Sequence, residues 1–228
     1  MTETIKIVLD HGIGEVELIR ASGSDLDVIN AARISYSKVK TELDEADKKL
    51  IKYLVNHNHV STLEHNYITF RVRCPKPLAV QWMRHKSWSF NETSYRYCKM
   101  EEEFYTPQNI RKQHESSKQA STDFEFPEED AAHIKNIYNN SYKVAHSAYK
   151  QLLEKGVARE QARMILPFGF FTEFWATCNL RSFMHWYLAR VDTHAQWEIQ
   201  ELAKAAMSLI KDKYPVTIQA ILDKGGNK

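Results

Sequence analysis

Residues 65–75 read HNYITFRVRCP, and this short stretch predicts the centre of the fold. Over 67–73, apolar side chains alternate with polar or amphipathic ones, which is the period-two pattern of a half-buried β-strand. Pro75 and Pro77 follow, and proline ends a strand but suits the first turn of a helix. The stretch therefore predicts a strand that is followed directly by a helix over 78–86.

The segments around this strand have patterns of their own. Alternating apolar residues and a Gly-rich turn, HGIG, predict a β-hairpin over 5–22. Apolar residues at helical spacing predict several helices, and Ser24 is a suitable N-cap for the first. A capping box of Thr193 and Gln196 would open a late helix over 194–213. The remaining helical predictions are 25–37, 44–57, 130–155, 179–190, a short turn at 162–167 and a final turn or two at 215–222.

Two further segments are predicted as extended and one as irregular. Aromatic and β-branched residues over 168–179 predict a second long strand, and 95–100, YRYCKM, a short one. Residues 106–130 are polar and rich in Ser and Gln, which indicates a long mobile loop. Helices and strands are mixed without an internal repeat, so we expect one α+β domain spanning 1–228, with a mixed or antiparallel sheet flanked by helices.

The composition argues against several classes of protein. A net charge of only +2 over 228 residues argues against general binding to nucleic acid or to an anionic membrane. No apolar run approaches the length of a membrane span, and no signal peptide is apparent. The Gly-rich phosphate loops GxGxxG and GxxxxGK[ST] are absent. Cys74, Cys98 and Cys178 lack metal-ligand or disulfide spacing, so we expect buried, inert thiols and a cytoplasmic location.

Residues 84–97, RHKSWSFNETSYRY, crowd cationic, hydroxyl and aromatic side chains into a segment that we predict to be a loop. Groups such as Arg96 and Ser94 form strong charge-assisted hydrogen bonds with phosphate. Rings such as Tyr95 and Tyr97 stack on bases. The alternative is a solvated polar surface loop, and the stretch alone does not separate the two.

A second polar cluster, His59, Ser61, Glu64 and His65, precedes the first predicted strand. A zinc site would need histidines one helical turn apart together with a third ligand. The spacing here favours ordinary surface histidines at a helix end, and no metal is predicted.

A third cluster follows the second long strand. Arg181 and His185 are four residues apart and share a helix face. Cationic groups on such an aromatic segment are costly to bury without an anionic partner, either a carboxylate such as Asp192 or a ligand. The cluster consists of Asn179, Arg181, His185, Arg190 and His194.

Taken together, these segments resemble the flavin-dependent thymidylate synthases. The family motif RHRxxSxNExSxRY is matched by residues 84–97 with one departure, Lys86 at the third motif position, where the family has arginine. Lysine keeps the positive charge but lacks the planar guanidinium that donates two parallel hydrogen bonds. The segments AARISYS, HVSTLEHNYITFRVRCP and NLRSFMHWYLARVDTHAQWEIQ resemble family segments in the family's order. The resemblance extends along most of the chain, and the first hairpin and residues 106–130 are its least diagnostic parts.

The resemblance implies the fold of that family and a homotetramer whose active sites lie where subunits meet. It also implies a reaction, the reductive methylation of dUMP to dTMP. Methylenetetrahydrofolate is the carbon donor, and FAD passes on a hydride derived from NADPH. Nucleic acid and membranes are not among the expected partners.

The resemblance further implies the residues of two sites. The dUMP site would consist of Gln81, Arg84, Glu92, Ser94, Arg96, Arg163 and Arg190. The FAD site would consist of Ser35, His59, Ser61, Glu64, Arg84, His85, Lys86, Asn179, Arg181, His185 and His194. Many relatives have Asn at the position of His185, and Tyr95 replaces a residue that is often small.

No cysteine falls in a family active-site motif, so we expect C5 of uracil to be activated by charge stabilisation. A fixed guanidinium in a dry site supplies about 3 kcal/mol of such stabilisation, and Arg190 is the candidate. Ser94 and Arg96 are assigned to binding, with Ser94 as a covalent nucleophile the weaker alternative. Two other classes stay open: a nucleotide- or RNA-binding protein without catalysis, and a flavoprotein with another substrate, such as an NADPH oxidase-like reductase.

Overall fold

The computed structural model describes residues 5–117 and 121–225. The strands are β1 Ile5–Val8, β2 Glu15–Ala21, β3 Tyr67–Pro75, β4 Ser89–Glu92, β5 Arg111–Gln113, β6 Ser121–Glu125 and β7 Phe171–Asn179. The helices are α1 Asp25–Arg33, α2 Glu45–Asn56, α3 Lys76–Trp82, α4 Glu128–Glu154, α5 Arg159–Ala162, α6 Leu180–Arg190, α7 Trp197–Ile210 and α8 Pro215–Gly225. Short 3-10 turns lie at Asp10–Gly12, Ile34–Tyr36, Val60–Leu63 and Arg163–Ile165.

A five-stranded antiparallel sheet in the order β1-β2-β3-β7-β4 forms the centre of the fold. The segment 65–75 contains its middle strand, β3. It pairs with β7 over its whole length, from Tyr67 opposite Asn179 to Pro75 opposite Phe171. The α+β class and the antiparallel sheet flanked by helices are thus confirmed.

The hydrophobic core packs the sheet against the helices α3, α6 and α7 and continues into α1, α2 and α8. The alternation in β3 buries Ile68, Phe70 and Val72 completely. Trp82 of α3 and Trp186 of α6 stack with ring centroids 4.1 Å apart. Each fully buried side chain of this size contributes about 2–3 kcal/mol relative to an exposed one. The stacked tryptophans therefore hold the end of α3 against α6, and both helices carry candidate site residues.

Several local predictions are confirmed. β1 and β2 form the predicted hairpin, and the hydroxyl oxygen of Ser24 accepts a hydrogen bond from the backbone N–H of Leu26 at the start of α1. The helix predicted over 130–155 is α4, and Gly156 follows it in the left-handed conformation, with φ +81°. Glycine adopts this conformation without steric cost.

The prediction of a loop for the segment 84–97 was wrong for its middle part. Residues 89–92 form β4, the edge strand that pairs with β7 from Ser89 opposite Thr177 to Glu92 opposite Phe174. The preceding helix, α3, ends at Trp82 rather than continuing to 86. The strand forms because Phe90 can pack on the core cluster while its polar neighbours point outward.

The strand predicted over 95–100 is a turn. The backbone N–H groups of Tyr97 and Cys98 both donate to the carbonyl oxygen of Ser94, at 2.9 and 3.1 Å. These local bonds replace the ladder that a strand would need. Cys98 is exposed, so the expectation of three buried thiols holds only for Cys74 and Cys178.

The long loop predicted over 106–130 was wrong for the parts of this segment that form strands and the start of a helix. β5 and β6 form a small antiparallel pair there, and α4 begins at Glu128. Residues 118–120 of the predicted loop lie outside the described residues. The pair is tied to α7, because Arg111 donates to both carboxylate oxygens of buried Glu198, at 3.1 and 2.8 Å.

The predictions for the C-terminal helices need two corrections. Thr193 does not open a capping box: α7 begins at Trp197, and Gln196 makes no side-chain cap. A turn takes the place of the first helical residues, since the backbone N–H of His194 donates to the Asp192 carboxylate at 2.8 Å. The final helix, α8, is also longer than predicted. Within the described residues, no helix is long and apolar enough to cross a bilayer.

Candidate functional site

The predicted site residues lie at the two ends of the central sheet. At the first end, β3 begins, β7 ends and β4 begins, because Tyr67 pairs with Asn179 and Ser89 with Thr177. At the second end, β3 ends, β7 begins and β4 ends. Most residues implied for FAD lie near the first end, and four of those implied for dUMP lie near the second.

A pocket of about 480 Å³ lies at the second end. We call it the β4 pocket; its lining includes Lys76, Glu92, Ser94, Tyr95, Glu160 and Arg163. Three of these, Glu92, Ser94 and Arg163, were predicted for dUMP. Arg96 lies beside them, and its Nε is 3.3 Å from Oε2 of Glu160. The structure therefore brings Arg163 to the turn that follows β4, although the two segments are far apart in sequence.

The turn that carries Ser94 and Arg96 is anchored to β7 by Tyr95. The Tyr95 hydroxyl donates to the carbonyl oxygen of Phe171 at 2.7 Å, and its ring packs edge-on against Phe170 with centroids 5.4 Å apart. The sequence suggested the Tyr95 ring as a stacking partner for a base. The side chain in fact joins the turn to the strand that follows Arg163.

A second group gathers where α3 ends. Arg190, the last residue of α6, donates from Nη2 to the backbone carbonyl oxygen of Gln81 at 2.7 Å. The rings of His85 and His185 meet edge-on with centroids 5.5 Å apart. We call Arg84, His85, His185 and Arg190 the cationic cluster. Arg84 contributes to it electrostatically, because its charge helps to lower the pKa of Arg190.

The electrostatics of the cationic cluster favour an anion. Burial lowers the pKa of Arg190, and the charge of Arg84 lowers it further. Burial also lowers the pKa of His85 to about 4, with smaller contributions from Arg190 and His185, so its imidazole is neutral at pH 7. The Nε of Arg190 is buried and has no hydrogen-bond partner. No carboxylate in the described ranges pairs with Arg190. The buried guanidinium therefore lacks an anionic partner, and binding an anion there would be favourable.

A third group lies at the first end of the sheet. Arg181 forms an ion pair with Glu64, with 2.5 Å between Nη1 and Oε1. The side-chain oxygen of Asn179 accepts from the backbone N–H of Ser182 at 2.9 Å and caps α6. The structure thus joins the second and third sequence clusters. His59 and Ser61 are exposed on the 3-10 segment that leads to Glu64.

Three residues implied for FAD stand apart from these groups. Ser35 is exposed in the 3-10 turn after α1, and Lys86 is exposed between α3 and β4. His194 is exposed, and its Nδ1 lies 2.8 Å from the Asp192 carboxylate. Asp192 therefore pairs with His194 and not with Arg190, so it does not supply the anion that the cationic cluster lacks.

The buried thiols are poor candidates for chemistry. Burial raises the pKa of Cys74 and of Cys178 well above the ordinary range, so neither is a ready thiolate. Cys98 is exposed and lies beside a separate, smaller pocket of about 260 Å³. In the parts of the chain that the structure describes, no group of three or more His, Cys, Asp or Glu side chains could hold a metal ion.

Sequence reasoning missed three residues that line or support the β4 pocket: Lys76, Glu160 and Thr172. Lys76 and Thr172 both contact the carboxylate of Glu92. No sequence motif indicated Lys76 and Thr172, because only the pairing of β3, β7 and β4 brings them to Glu92. Pro75 lies opposite Phe171, and Glu92 lies opposite Phe174 on the other side of β7.

The chain is similar to known proteins along most of its length. A family model described as thymidylate synthase complementing protein matches residues 17–216. The flavin-dependent thymidylate synthase of Thermosipho africanus is 42% identical over 219 residues, covering 94% of this chain and 92% of that protein. The same-named protein of Thermus thermophilus is 40% identical over 209 residues, covering 92% of this chain and 75% of that protein.

A solved structure provides a third comparison. The UMP/dUMP methylase PolB from Streptomyces cacaoi, bound with 5-Br dUMP, superimposes with a TM-score of 0.83 at 34% identity. The match covers 91% of this chain and 94% of PolB. Sequence and fold therefore agree along nearly the whole length, and the chain belongs to the flavin-dependent thymidylate synthase family.

Proposed function

We propose that this protein converts dUMP to dTMP, using methylenetetrahydrofolate as carbon donor and NADPH-reduced FAD as hydride source. Family membership supports the reaction class. The observation that carries the assignment in this chain is Arg190, a guanidinium held at the end of α3 with a buried Nε and no carboxylate partner among the described residues. A pyrimidine carbonyl on which negative charge develops is a suitable partner for such a group.

The residues near the first end of the sheet fit a dinucleotide such as FAD. Arg181, Arg84 and the exposed Lys86 offer cationic donors for its phosphates, and His59, Ser61 and Asn179 offer further polar contacts. The neutral imidazole of His85 adds a donor or acceptor without adding charge. FAD, when bound, supplies a hydride that originates from NADPH. The residues proposed to hold it are Ser35, His59, Ser61, Glu64, Arg84, His85, Lys86, Asn179, Arg181, His185 and His194.

The β4 pocket and the cationic cluster have different roles toward dUMP. Ser94, Arg96 and Arg163 bind and position the nucleotide, because hydroxyl and guanidinium donors suit its phosphate. Arg190 stabilises the charge that develops on the uracil carbonyls, and Gln81 and Arg84 stand beside it. The buried thiols do not take part, which agrees with their raised pKa values.

The two parts of the dUMP site also support an active site shared between subunits, as in the homotetramer that the family resemblance implies. The β4 pocket does not include Gln81, Arg84 or Arg190, although all belong to the predicted dUMP set. One nucleotide can meet both parts if the pocket of one subunit faces the cationic cluster of another. We therefore propose active sites at subunit interfaces, in a cytoplasmic protein whose other partners are small molecules.

A second substrate has a specific observation in its favour. PolB, which superimposes over nearly the full chain, is a UMP/dUMP methylase. UMP differs from dUMP by the 2′-hydroxyl alone. Assays with the two nucleotides in parallel establish which one this protein prefers, and the higher identity to thymidylate synthases favours dUMP.

The test begins with the visible spectrum of the purified protein. We expect a yellow protein whose flavin absorbance is bleached by NADPH and restored by dUMP with methylenetetrahydrofolate, with dTMP as product. A colourless protein that binds nucleotides would instead support the non-catalytic alternative. A yellow protein that oxidises NADPH without forming a methylated nucleotide would support a flavoprotein of another substrate.

A further inference from the structure

The β4 pocket contains one cation that no motif indicated. Lys76 begins α3 directly after β3, so its side chain starts at the same sheet end as Glu92. Its Nζ lies 2.6 Å from Oε1 and 2.7 Å from Oε2 of the Glu92 carboxylate. The two side chains are 22% and 26% exposed. This ion pair is therefore partly shielded from solvent and forms part of the pocket lining.

Thr172 holds the same carboxylate. Its hydroxyl donates to Oε1 of Glu92 at 2.7 Å, and the residue is only 3% exposed. An ammonium group and a buried hydroxyl together leave the carboxylate one preferred orientation, because charge-assisted bonds are strong where solvent is scarce. The strand register brings these residues to the same end of the sheet, since Thr172 lies opposite Cys74, two residues before Lys76.

The charges that line the pocket determine how the Lys76–Glu92 ion pair affects the binding of an anionic ligand. Lys76 and Arg163 are its cationic lining residues, and Glu92 and Glu160 its carboxylates. Arg96 at the side is already engaged by Glu160. Without Lys76, the Glu92 carboxylate would lose the cation that pairs with it and would repel an incoming phosphate, because like charges at close range repel strongly in a partly desolvated site.

We propose that Lys76 is a positioning residue for the nucleotide: it neutralises and orients Glu92, so that the β4 pocket accepts the phosphate-bearing part of dUMP. The inference rests on the proposed function, because it places dUMP in this pocket. Lys76 acts through Glu92, so the loss of Lys76 harms binding chiefly by leaving an uncompensated carboxylate behind.

The decisive experiment is a double-mutant cycle of Lys76→Met, Glu92→Gln and the two together on the full-length, FAD-loaded protein, with the Kd for dUMP measured by calorimetry. Lys76→Met is expected to raise the Kd about 10-fold or more, while Lys76→Arg, which keeps the charge, stays close to the unsubstituted protein. Lys76→Met combined with Glu92→Gln is expected to bind dUMP more tightly than Lys76→Met alone, because the uncompensated charge is gone. A residue that only stabilised the fold would not give this recovery.

Two further variants complete the design. Lys204→Met breaks the exposed pair with Glu201 on α7 and is the matched control, with an unchanged Kd. Thr172→Val acts on the same carboxylate and is expected to raise the Kd in the same direction by a smaller factor, which tests the idea even if Lys76→Met fails to fold.

The outcomes separate this inference from the proposed function. An unsubstituted, FAD-loaded protein that does not bind dUMP would refute the proposed function itself. If the unsubstituted protein binds dUMP, an unchanged Kd in folded Lys76→Met would overturn the role of Lys76. A double variant that binds dUMP no more tightly than Lys76→Met would also overturn it. If Lys76→Met does not fold, an unchanged Kd in Thr172→Val would have the same meaning.

Discussion

Arg190 at the end of α6 donates a hydrogen bond to the backbone carbonyl oxygen of Gln81 at the end of α3, 2.7 Å away. This contact spans 109 residues of sequence and joins the two helices whose tryptophans stack in the core. Because Nη2 is committed to the backbone, the guanidinium is held in place, with its buried Nε left without a protein partner among the described residues. The helix ends thus preorganise one cationic group for a ligand, which is the condition for electrostatic stabilisation without reorganisation.

We expect Arg190→Ala to reduce kcat by about 100-fold to 1,000-fold, the usual effect of removing one donor aimed at developing charge. Flavin content should stay near that of the unsubstituted protein, because the other proposed FAD residues are intact. Steady-state kinetics and the flavin absorbance of the purified variant measure the two effects. Arg20→Ala, which removes an exposed arginine from β2, is the control. Normal turnover by Arg190→Ala would assign charge stabilisation to another residue.

A protein without cysteines should still form dTMP. Cys74→Ala and Cys178→Ala suit the buried positions, and Cys98→Ser suits the exposed one. The two core substitutions together are expected to cost about 1–3 kcal/mol of stability, because each removes a buried sulfur atom. Thymidylate formation by the folded, flavin-bound triple variant is the measurement. Loss of chemistry in such a variant would show that a thiol takes part.

Tyr95→Phe tests whether the turn that bears Ser94 and Arg96 must be anchored. The change removes only the hydroxyl that donates to the carbonyl oxygen of Phe171. A hydrogen bond of this kind contributes about 1 kcal/mol, so we expect KM for dUMP to rise about 5-fold while kcat changes little. Tyr138→Phe, at a partly exposed tyrosine on α4, is the matched control. Equal effects in the two variants would mean that the anchor is irrelevant to substrate binding.

Asp47 makes stability depend on pH. Burial would raise the pKa of its carboxyl, but hydrogen bonds from Lys40 and Arg33 outweigh burial and hold the pKa well below the ordinary value of 3.8. The carboxylate therefore stabilises the fold above about pH 4, and this stabilisation is lost as the pH falls below that value. We expect Asp47→Asn to cost about 2–4 kcal/mol at pH 7.

Urea unfolding at a series of pH values measures this effect. The difference in unfolding free energy between the unsubstituted protein and Asp47→Asn should shrink as the pH is lowered from about 5 to about 3. Glu45→Gln is the control, because its ion pair with Lys48 is exposed to solvent and is expected to contribute little to stability. A difference that is constant across this range would contradict the assigned pKa direction.

The sequence alone determined the parts of this fold that depend on local pattern. The alternation in 67–73, the Ser24 cap, the first hairpin and the long helices all follow from side-chain periodicity and backbone preference, which act over a few residues. The motif at 84–97 likewise indicated the family by residue type and spacing alone. Where local pattern was weak, the predictions failed: β4 and the β5–β6 pair are short strands that form only because a partner strand is present.

The tertiary structure decided which site residues meet. Strand register places Lys76 and Thr172 on Glu92, and helix packing places Arg190 on Gln81, across separations that no sequence spacing encodes. It also divides the predicted dUMP residues between the β4 pocket and the cationic cluster. The physical reason is that side-chain contacts depend on how whole elements pack and pair, whereas a sequence motif reports only which residue types are available nearby along the chain.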